Sequence, residues 1–287
     1  MGLLFRKMLI IGVGLIGGSL ALAGRAKGVA GEITGMSRTE RSLQRAREMG
    51  VLDRVTRDLG EGLEGTDLVV LATPVGNFEE WGRALAQRSL EGVTVTDVGS
   101  VKGDLVIRLE EILGNKTPFV GGHPIAGGEK SGVEASQVSL FEGARCILTP
   151  TPRTDPEALA RIQALWEAVG ARISLVDPFV HDRLLAAVSH LPHMVAYALV
   201  NTVMEAEVAG HDTISFSGGG FRDFTRIAAS SEEMWRDICL QNRDALVAMM
   251  EAYQQNLEAL KQNILRGEGE RLMEAFRRAK EVRERIP

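Results

Sequence analysis

The chain has 287 residues, 45% of them hydrophobic and 25% charged, which is enough to bury a full core and to form two domains. A net charge of −5, with basic residues scattered among acidic ones, argues against a nucleic-acid partner and favours small molecules or further copies of the chain. Two cysteines without a C-x-x-C motif predict the cytoplasm and no disulfide framework, and the absence of a cleavable leader or of about 18 uninterrupted apolar residues predicts no membrane partner.

A glycine-rich turn follows the first predicted strand, Leu9 to Ile11. Gly12, Gly14 and Gly17 form the pattern G-x-G-x-x-G ahead of an Ala/Leu-rich amphipathic stretch. In this pattern the glycines permit a tight turn, close approach of backbone N–H groups to a pyrophosphate, and packing of a helix whose positive N-terminus faces the phosphates. Strand, turn and helix in this order predict a dinucleotide site, with cofactor contacts from Gly12, Gly14, Leu15, Ile16 and Gly17.

The end of the second predicted strand, Glu32 to Met36, bears on which dinucleotide binds. NAD sites of this kind carry an acidic residue there for the ribose 2′-hydroxyl, whereas this chain has Ser37, Arg38 and Thr39. Two hydroxyls and a guanidinium suit a 2′-phosphate and therefore predict NADP rather than NAD. The alternative is that Ser37 or Thr39 caps a helix beginning near Glu40 while Arg38 is solvated.

Strand and helix patterns alternate as far as residue 175, and strand patterns are absent after it. The further predicted strands are Asp67 to Ala72, Val93 to Asp97, Phe119 to Gly121, Cys146 to Leu148 and Arg172 to Val176. This rhythm predicts an α/β fold with a doubly wound sheet over residues 1–175. Residues 176–287 are predicted to form an all-helical domain from Phe179 to Ala209, Phe221 to Ser230, Glu232 to Arg266 and Gly269 to Arg285.

Polar residues follow several predicted strands, at the edge where open α/β sheets bind ligands. Thr73 and Pro74 are expected to contact the cofactor, and so is Ser100. Ser100 also suits the N-cap of a helix over Leu105 to Leu113, and the two roles are compatible. His123 lies in a glycine-rich segment that we expect to be a loop, where an imidazole suits general acid/base chemistry near neutral pH.

The first helix of the second half is apolar on nearly every face, which predicts burial all round and hence a homodimer whose interface supplies that burial. Asp182, Ser189 and His193 share one face and need polar partners if buried. Pro192 is expected to kink the helix. His190 and His193 have the i, i+3 spacing of metal ligands, but without a cysteine cluster or H-E-x-x-H no metal is predicted.

The last polar segment runs from Gly218 to Ala228 after a predicted loop. Arg222 and Arg226, four residues apart, with Asp223 beside them, suit ordinary surface ion pairs. A triple glycine ahead of aromatic and arginine residues favours instead a loop that closes on an anionic ligand.

Taken together, these segments resemble the prephenate and arogenate dehydrogenases of tyrosine biosynthesis, the TyrA family. The resemblance runs through Gly12 to Ala21, Asp97 to Gly103, Gly121 to Gly132, Ser189 to His193 and Gly218 to Ala228. It implies an N-terminal Rossmann domain that binds NAD(P), a helical dimerisation domain, and oxidative decarboxylation of a cyclohexadienol to a phenol. The end of the second strand departs from the aspartate common in NAD-using members.

The resemblance also implies roles for individual residues. His123 is similar to the catalytic histidine that takes or polarises the ring hydroxyl proton, and Ser100 to the serine that orients it and the nicotinamide. The implied substrate-binding residues are Arg226 at a carboxylate, His193 at the pyruvyl side chain, Asp182 positioning the arginine, Glu129 at the mouth of the site, and Trp235.

Three alternatives to a prephenate dehydrogenase are considered: another substrate, another class of dehydrogenase, and a regulator without enzyme activity. The sequence does not separate a pyruvyl from an alanyl side chain, so arogenate stands beside prephenate, which we favour. Dehydrogenases of 3-hydroxy acids place a catalytic lysine on the interdomain helix, and this chain has no lysine between Lys130 and Lys261. A regulator that senses NADP without turnover gives no reason for Ser100, His123 and Arg226 to occur together.

Overall fold

The computed structural model describes residues 3–37, 39–128, 132–206, 208 and 210–286. Within these residues the strands are β1 (Phe5–Ile11), β2 (Ala30–Met36), β3 (Arg54–Thr56), β4 (Leu68–Leu71), β5 (Thr94–Asp97), β6 (Phe119–Ile125), β7 (Arg145–Thr149) and β8 (Arg172–Leu175). The helices are α1 (Leu15–Ala26), α2 (Glu40–Glu48), α3 (Leu59–Leu63), α4 (Phe78–Ala86), α5 (Gly103–Leu113), α6 (Pro156–Ala168), α7 (Pro178–Leu185), α8 (Leu191–Glu205), α9 (Gly219–Thr225), α10 (Glu232–Gln241), α11 (Arg243–Leu265) and α12 (Gly269–Arg283).

The strands form one sheet in the order β3-β2-β1-β4-β5-β6-β7-β8. The first six are parallel and follow the strand order of dinucleotide-binding domains, which confirms the predicted α/β fold. The three-residue β3 was not predicted, because a segment so short carries no recognisable alternation. Apolar side chains pack on both faces of the sheet, as Met8 and Ile10 do on one side of β1 and Leu9 and Ile11 on the other.

Strand β6 is longer than predicted, and this changes the setting of His123. β6 pairs with β5 only at Phe119 and Val120, and then continues antiparallel to β7, with His123 opposite Ile147. The expectation that His123 lies in a loop is therefore wrong. Because the partner strand β7 extends the pairing, His123 is held on a strand beyond the carboxyl end of β5.

The long apolar helix is interrupted near Pro192. α7 ends at Leu185, a wide π turn spans Ala186–His190, and α8 begins at Leu191. Proline lacks an N–H and its ring crowds the preceding turn, so a widened turn just ahead of it accommodates both defects.

Much of this helical run is exposed in the single chain. The exposed fractions are 49% for Leu184, 74% for Val188 and 64% for Met204, so burial on every face does not occur within one subunit. Of the described residues, Pro178–Glu205 is the one run long and apolar enough to cross a membrane by length and composition, a criterion that the core helix of a soluble protein also meets.

The later helices are shorter than predicted. The segment from Glu232 to Arg266 is broken at Asn242 into α10 and α11, and α9 gives way at Arg226 to a tight 3₁₀ turn. By packing, the chain forms two compact units, residues 1–243 and 244–287, the second made of α12 and most of α11. The domain division after residue 175 stays a prediction.

Candidate active site

The glycine turn after β1 is shaped to receive a phosphate group. Gly12 has a φ of +106°, and a Cβ there would lie 2.5 Å from the carbonyl carbon of Ala72. A Cβ on Gly17 would lie 2.2 Å from the Gly12 oxygen, whereas one on Gly14 would meet nothing within 4 Å. No side chain caps the N–H groups at the start of α1. Open space above uncapped donors at a helix N-terminus fits a dinucleotide pyrophosphate.

The residues predicted to select the cofactor lie after β2. Ser37 is half-buried and Thr39 is exposed, while Arg38 lies outside the described residues. Thr39 occupies the N-cap position of α2, but its hydroxyl donates to Oγ of Ser42 at 2.7 Å and makes no cap bond. The helix thus begins at Glu40 with Thr39 at its N-cap position, as the alternative predicts, but without a side-chain cap bond. A cavity of about 220 Å³ opens here, lined by Met36, Ser37, Arg57 and Trp81.

A buried ion pair joins the end of β5 to the loop that follows it, and its carboxylate also binds β6. The Asp97 carboxylate accepts N–H groups from Gly99 at 2.8 Å and Gly122 at 3.0 Å, and also binds the Lys102 ammonium. Lys102 donates a further bond to the Val101 carbonyl at 3.1 Å. Because both charged side chains are 1% exposed, each needs the other, and the pair fixes the path of the loop that carries Ser100.

The start of α5 differs from the prediction for Ser100. The residue at the N-cap of α5 is Lys102, whose backbone N–H donates to Oδ1 of Asp182 at 2.8 Å. Ser100 lies too far before the helix to cap it, so that expectation is wrong. Ser100 is half-buried beside the carboxyl end of β5, and Thr73 and Pro74 are likewise half-buried after β4.

Three buried side chains form a hydrogen-bonded row. Nδ1 of His123 lies 2.8 Å from Nε2 of His181, and Nδ1 of His181 lies 2.8 Å from Oδ1 of Asp182. The other ring nitrogen of His123, Nε2, has no partner in the described part of the chain. His123 is 8% exposed.

Burial keeps both imidazoles of this row neutral at neutral pH. Desolvation lowers the pKa of His123 well below its ordinary value of 6.5, and the nearby His181, Lys102 and His190 lower it further. Desolvation also lowers the pKa of His181, although Asp182 opposes this. His123 therefore offers a base whose lone pair is available across the physiological pH range.

A second group of aromatic side chains lies on α8 and α10. The His193 ring stacks on Trp235 with centroids 3.8 Å apart, and its Nδ1–H donates to the Ser189 carbonyl at 2.9 Å. Burial lowers the pKa of His193, and the charge of Arg226 also lowers it, which places that guanidinium within electrostatic reach. Trp235 is 6% exposed and its indole N–H has no partner in the described part.

The His190 ring also packs edge-on against Trp235, with centroids 5.8 Å apart, but its hydrogen-bond partner differs from that of His193. The Asn242 amide donates to Nδ1 of His190 at 3.0 Å and to the Asp182 carbonyl at 2.9 Å. Among the described residues no group of three or more metal-ligating side chains occurs. Asp182 has the polar partners that its predicted burial required, in Lys102 and His181. Glu129 lies outside the described residues.

Sequence reasoning singled out Ser100, His123 and Asp182 but missed the groups that hold them. Asp97 and Lys102 lie in the same polar segment as Ser100, and the adjacent His181-Asp182 pair was the available signal for His181. Asn242 carried no signal, because its partners His190 and Asp182 lie 52 and 60 positions away in the sequence.

The lowered pKa of His190 predicts that the free energy of unfolding decreases as the pH falls. Burial lowers its pKa from 6.5 to about 4, so between these values the unfolded chain binds a proton that the folded chain does not. The free energy of unfolding therefore has its full value above pH 6.5. It decreases by about 3 kcal/mol as the pH falls from there toward 4. Urea unfolding should therefore show the stability advantage of wild type over His190→Gln shrinking with falling pH. A difference that stays constant would contradict this, and the exposed His211→Gln serves as control.

A parallel sheet in this strand order, a phosphate-binding glycine turn and a neutral buried histidine at the ligand edge together define an NAD(P)-dependent oxidoreductase. Two family models match the chain: the nucleotide-binding domain of prephenate dehydrogenase over residues 20–175, and its dimerization domain over residues 177–278. The chain belongs to the prephenate dehydrogenase family.

Individual relatives cover almost the whole chain. It is similar to a crystal structure of prephenate dehydrogenase from A. aeolicus in complex with hydroxyphenyl propionate and NAD⁺, with 43% identity, a TM-score of 0.94 and 98% of each chain covered. The Synechocystis arogenate dehydrogenase structure has 30% identity and a TM-score of 0.82 over 98% of this chain and 100% of that one. The cyclohexadienyl dehydrogenase of Zymomonas mobilis is 36% identical over 97% of this chain and 95% of its own length.

Proposed function

We propose that the protein catalyses oxidative decarboxylation of prephenate to 4-hydroxyphenylpyruvate, a step of tyrosine biosynthesis, in the cytoplasm. The observation that carries the proposal is the buried, neutral His123 on β6 at the ligand edge of the sheet, whose Nε2 has no partner in the described part of the chain. The reaction requires one base that takes the proton of the ring hydroxyl and then returns it to the product oxygen.

The chemistry divides between cofactor and chain. The glycine turn after β1 would hold the dinucleotide, and its nicotinamide would supply an acceptor for the hydride that leaves the ring carbon bearing the hydroxyl. His123 Nε2 takes the hydroxyl proton as that hydride departs. The bond to the ring carboxylate then breaks, carbon dioxide leaves, and the electron pair enters the ring to form a phenolate. The phenolate oxygen takes the proton back from His123 Nε2 to give the phenol. Because aromatisation drives the reaction, the chain mainly positions the reactants.

We place the substrate between His123 and the stacked pair His193 and Trp235. Arg226 would hold a carboxylate by charge-assisted bonds, and its electrostatic effect on His193 supports a position beside that ring. The unpartnered indole N–H of Trp235 is a further donor for an anionic substrate. Ser100 is assigned to orienting His123 and the nicotinamide, Asp182 to positioning, and Glu129 to the mouth of the site.

NADP is the proposed cofactor in preference to NAD. The lining of the cavity after β2 supports this. Ser37 and Arg57 bring a hydroxyl and a guanidinium to the end of the second strand, where sites of this kind bind the adenosine ribose, and Trp81 offers an aromatic surface. Arg57 faces Glu40 at 3.9 Å in an exposed pair that contributes little, so its guanidinium is available to a phosphate. Arg38 follows Ser37 directly in the sequence.

Steady-state kinetics with both substrates and both cofactors test the proposal. We expect the highest kcat/KM with prephenate and NADP⁺. Arg57→Ser should raise the KM for NADP⁺ by about 10-fold or more and leave that for NAD⁺ nearly unchanged, since one charge-assisted bond is lost. The exposed Arg277→Ser is the matched control. A lower KM for NAD⁺ in wild type would overturn the NADP assignment.

Arogenate is the second candidate substrate. The observation in its favour is the similarity to the Synechocystis arogenate dehydrogenase over the full chain. The same kinetic measurements decide it, because arogenate would then give the higher kcat/KM with either cofactor.

We propose that the active form is a homodimer joined through the helical domain. The dimerization-domain match over residues 177–278 supports this. The exposed apolar side chains Leu184, Val188 and Met204 supply a surface for such an interface, since burying apolar surface away from water lowers the free energy.

A further inference from the structure

We propose that His181, anchored by Asp182, is a positioning residue that fixes His123 in the tautomer with its proton on Nδ1, so that Nε2 is the nitrogen that accepts the substrate proton. The role of Nε2 as proton acceptor rests on the function proposed above, whereas the tautomer does not depend on that function.

The tautomer of His123 follows when each ring nitrogen of the row is assigned in turn as a hydrogen-bond donor or acceptor. An ionised carboxylate only accepts hydrogen bonds, so the Asp182 oxygen 2.8 Å from His181 Nδ1 requires a proton on that nitrogen. A neutral His181 then has a lone pair on Nε2. That lone pair lies 2.8 Å from Nδ1 of His123, which must therefore carry the proton and donate it. The proton-free nitrogen of His123 is Nε2.

The anchor of the row is itself held in place. Oδ1 of Asp182 accepts the backbone N–H of Lys102 at 2.8 Å in addition to the His181 bond, and the Asp182 carbonyl accepts from the Asn242 amide at 2.9 Å. His181 is 0% exposed, so no solvent competes for its ring nitrogens. The orientation of both imidazoles is thus determined by α5, α7 and the residue after α10.

The row also acts during proton transfer. When Nε2 of His123 takes a proton, the ring becomes positively charged in a buried setting that otherwise disfavours charge. The Nδ1–H bond to His181, polarised by the Asp182 carboxylate, stabilises that charge at the moment it forms. Loss of His181 should therefore lower kcat and leave substrate and cofactor KM nearly unchanged.

The direct test is the ¹⁵N chemical shifts of the His123 ring in wild-type protein at neutral pH, assigned by their loss in His123→Asn. We expect a protonated Nδ1 and an unprotonated Nε2. A proton on Nε2 would overturn the proposal. This measurement needs no substrate, so it tests the tautomer independently of the proposed function. The proposed function is tested separately and is contradicted if no cyclohexadienol is oxidised.

Two variants test the consequence for turnover. His181→Leu removes the acceptor and should lower kcat by roughly 10²-fold, whereas His181→Gln keeps an acceptor at the place of Nε2 and should recover most of that loss. The exposed His211→Leu is the control and should retain wild-type kcat. Equal kcat in His181→Leu and wild type would contradict the positioning role. So would equal losses of kcat in the leucine and glutamine variants, if both variants keep the wild-type free energy of unfolding.

Discussion

Replacement of His123 by asparagine is expected to lower kcat by a factor of about 10² to 10⁴, the range for loss of a general base. Asparagine retains a donor and an acceptor of similar reach, so the fold and the row to His181 and Asp182 suffer little. The change removes only the lone pair of Nε2 and the basicity that goes with it.

Binding of the cofactor provides the matched readout for this variant. The glycine turn after β1 is a separate part of the sheet edge, so the Kd for NADP⁺ should stay within about two-fold of wild type. Turnover close to wild type in His123→Asn would remove His123 from the mechanism. Weakened cofactor binding together with low turnover would assign it to the cofactor site instead.

Replacement of Lys102 by methionine is expected to destabilise the protein by about 3–5 kcal/mol, because it leaves the Asp97 carboxylate buried without its counter-charge. The two N–H groups that Asp97 accepts, from Gly99 and Gly122, do not replace a full positive charge. Urea unfolding monitored by tryptophan fluorescence gives the free energy, and a lower midpoint at an unchanged slope is the expected pattern.

Lys280→Met is the control for this measurement. Lys280 is 76% exposed and lies 3.7 Å from Glu284, so its loss should change the free energy of unfolding by no more than about 0.5 kcal/mol. Equal stability of the Lys102 and Lys280 variants would show that the buried pair contributes nothing net.

The parts of this structure that could be predicted are those encoded locally. The glycine pattern at Gly12, Gly14 and Gly17 is a contiguous signal whose spacing follows from one turn and one helix, so it predicted the dinucleotide site. The alternation of strand and helix patterns, which is also local, predicted the surrounding α/β domain. The break at Pro192 was also local, although its form, a π turn over Ala186–His190, was not predictable from the proline alone.

The parts that could not be predicted depend on distant partners. Lys102 and Asp182 are 80 positions apart in the sequence. The backbone N–H of Lys102 donates to the Asp182 side chain, and this bond, rather than Ser100, caps the start of α5. His123 was expected in a loop because its glycines suggest one, yet antiparallel pairing with β7 keeps it on a strand. In both cases tertiary contacts outweigh local preference.

The arrangement that results is a single buried polar network rather than a set of separate catalytic groups. Asp97 and Lys102 hold the loop beside β5, Asp182 joins that loop to α7, and His181 connects Asp182 to His123. Networks of this kind lose more on the removal of one member than pairwise contacts suggest, because the remaining groups stay buried and unsatisfied.

The most direct test of the account is to supply wild-type protein with prephenate and NADP⁺, and to follow reduced nicotinamide by absorbance while trapping carbon dioxide. We predict that both products form together, one carbon dioxide for each nicotinamide reduced, and that neither forms in His123→Asn on the same time scale. Tight binding of the cofactor with no reduction of NADP⁺ or NAD⁺ by either prephenate or arogenate would contradict the account and indicate a cofactor-sensing protein instead.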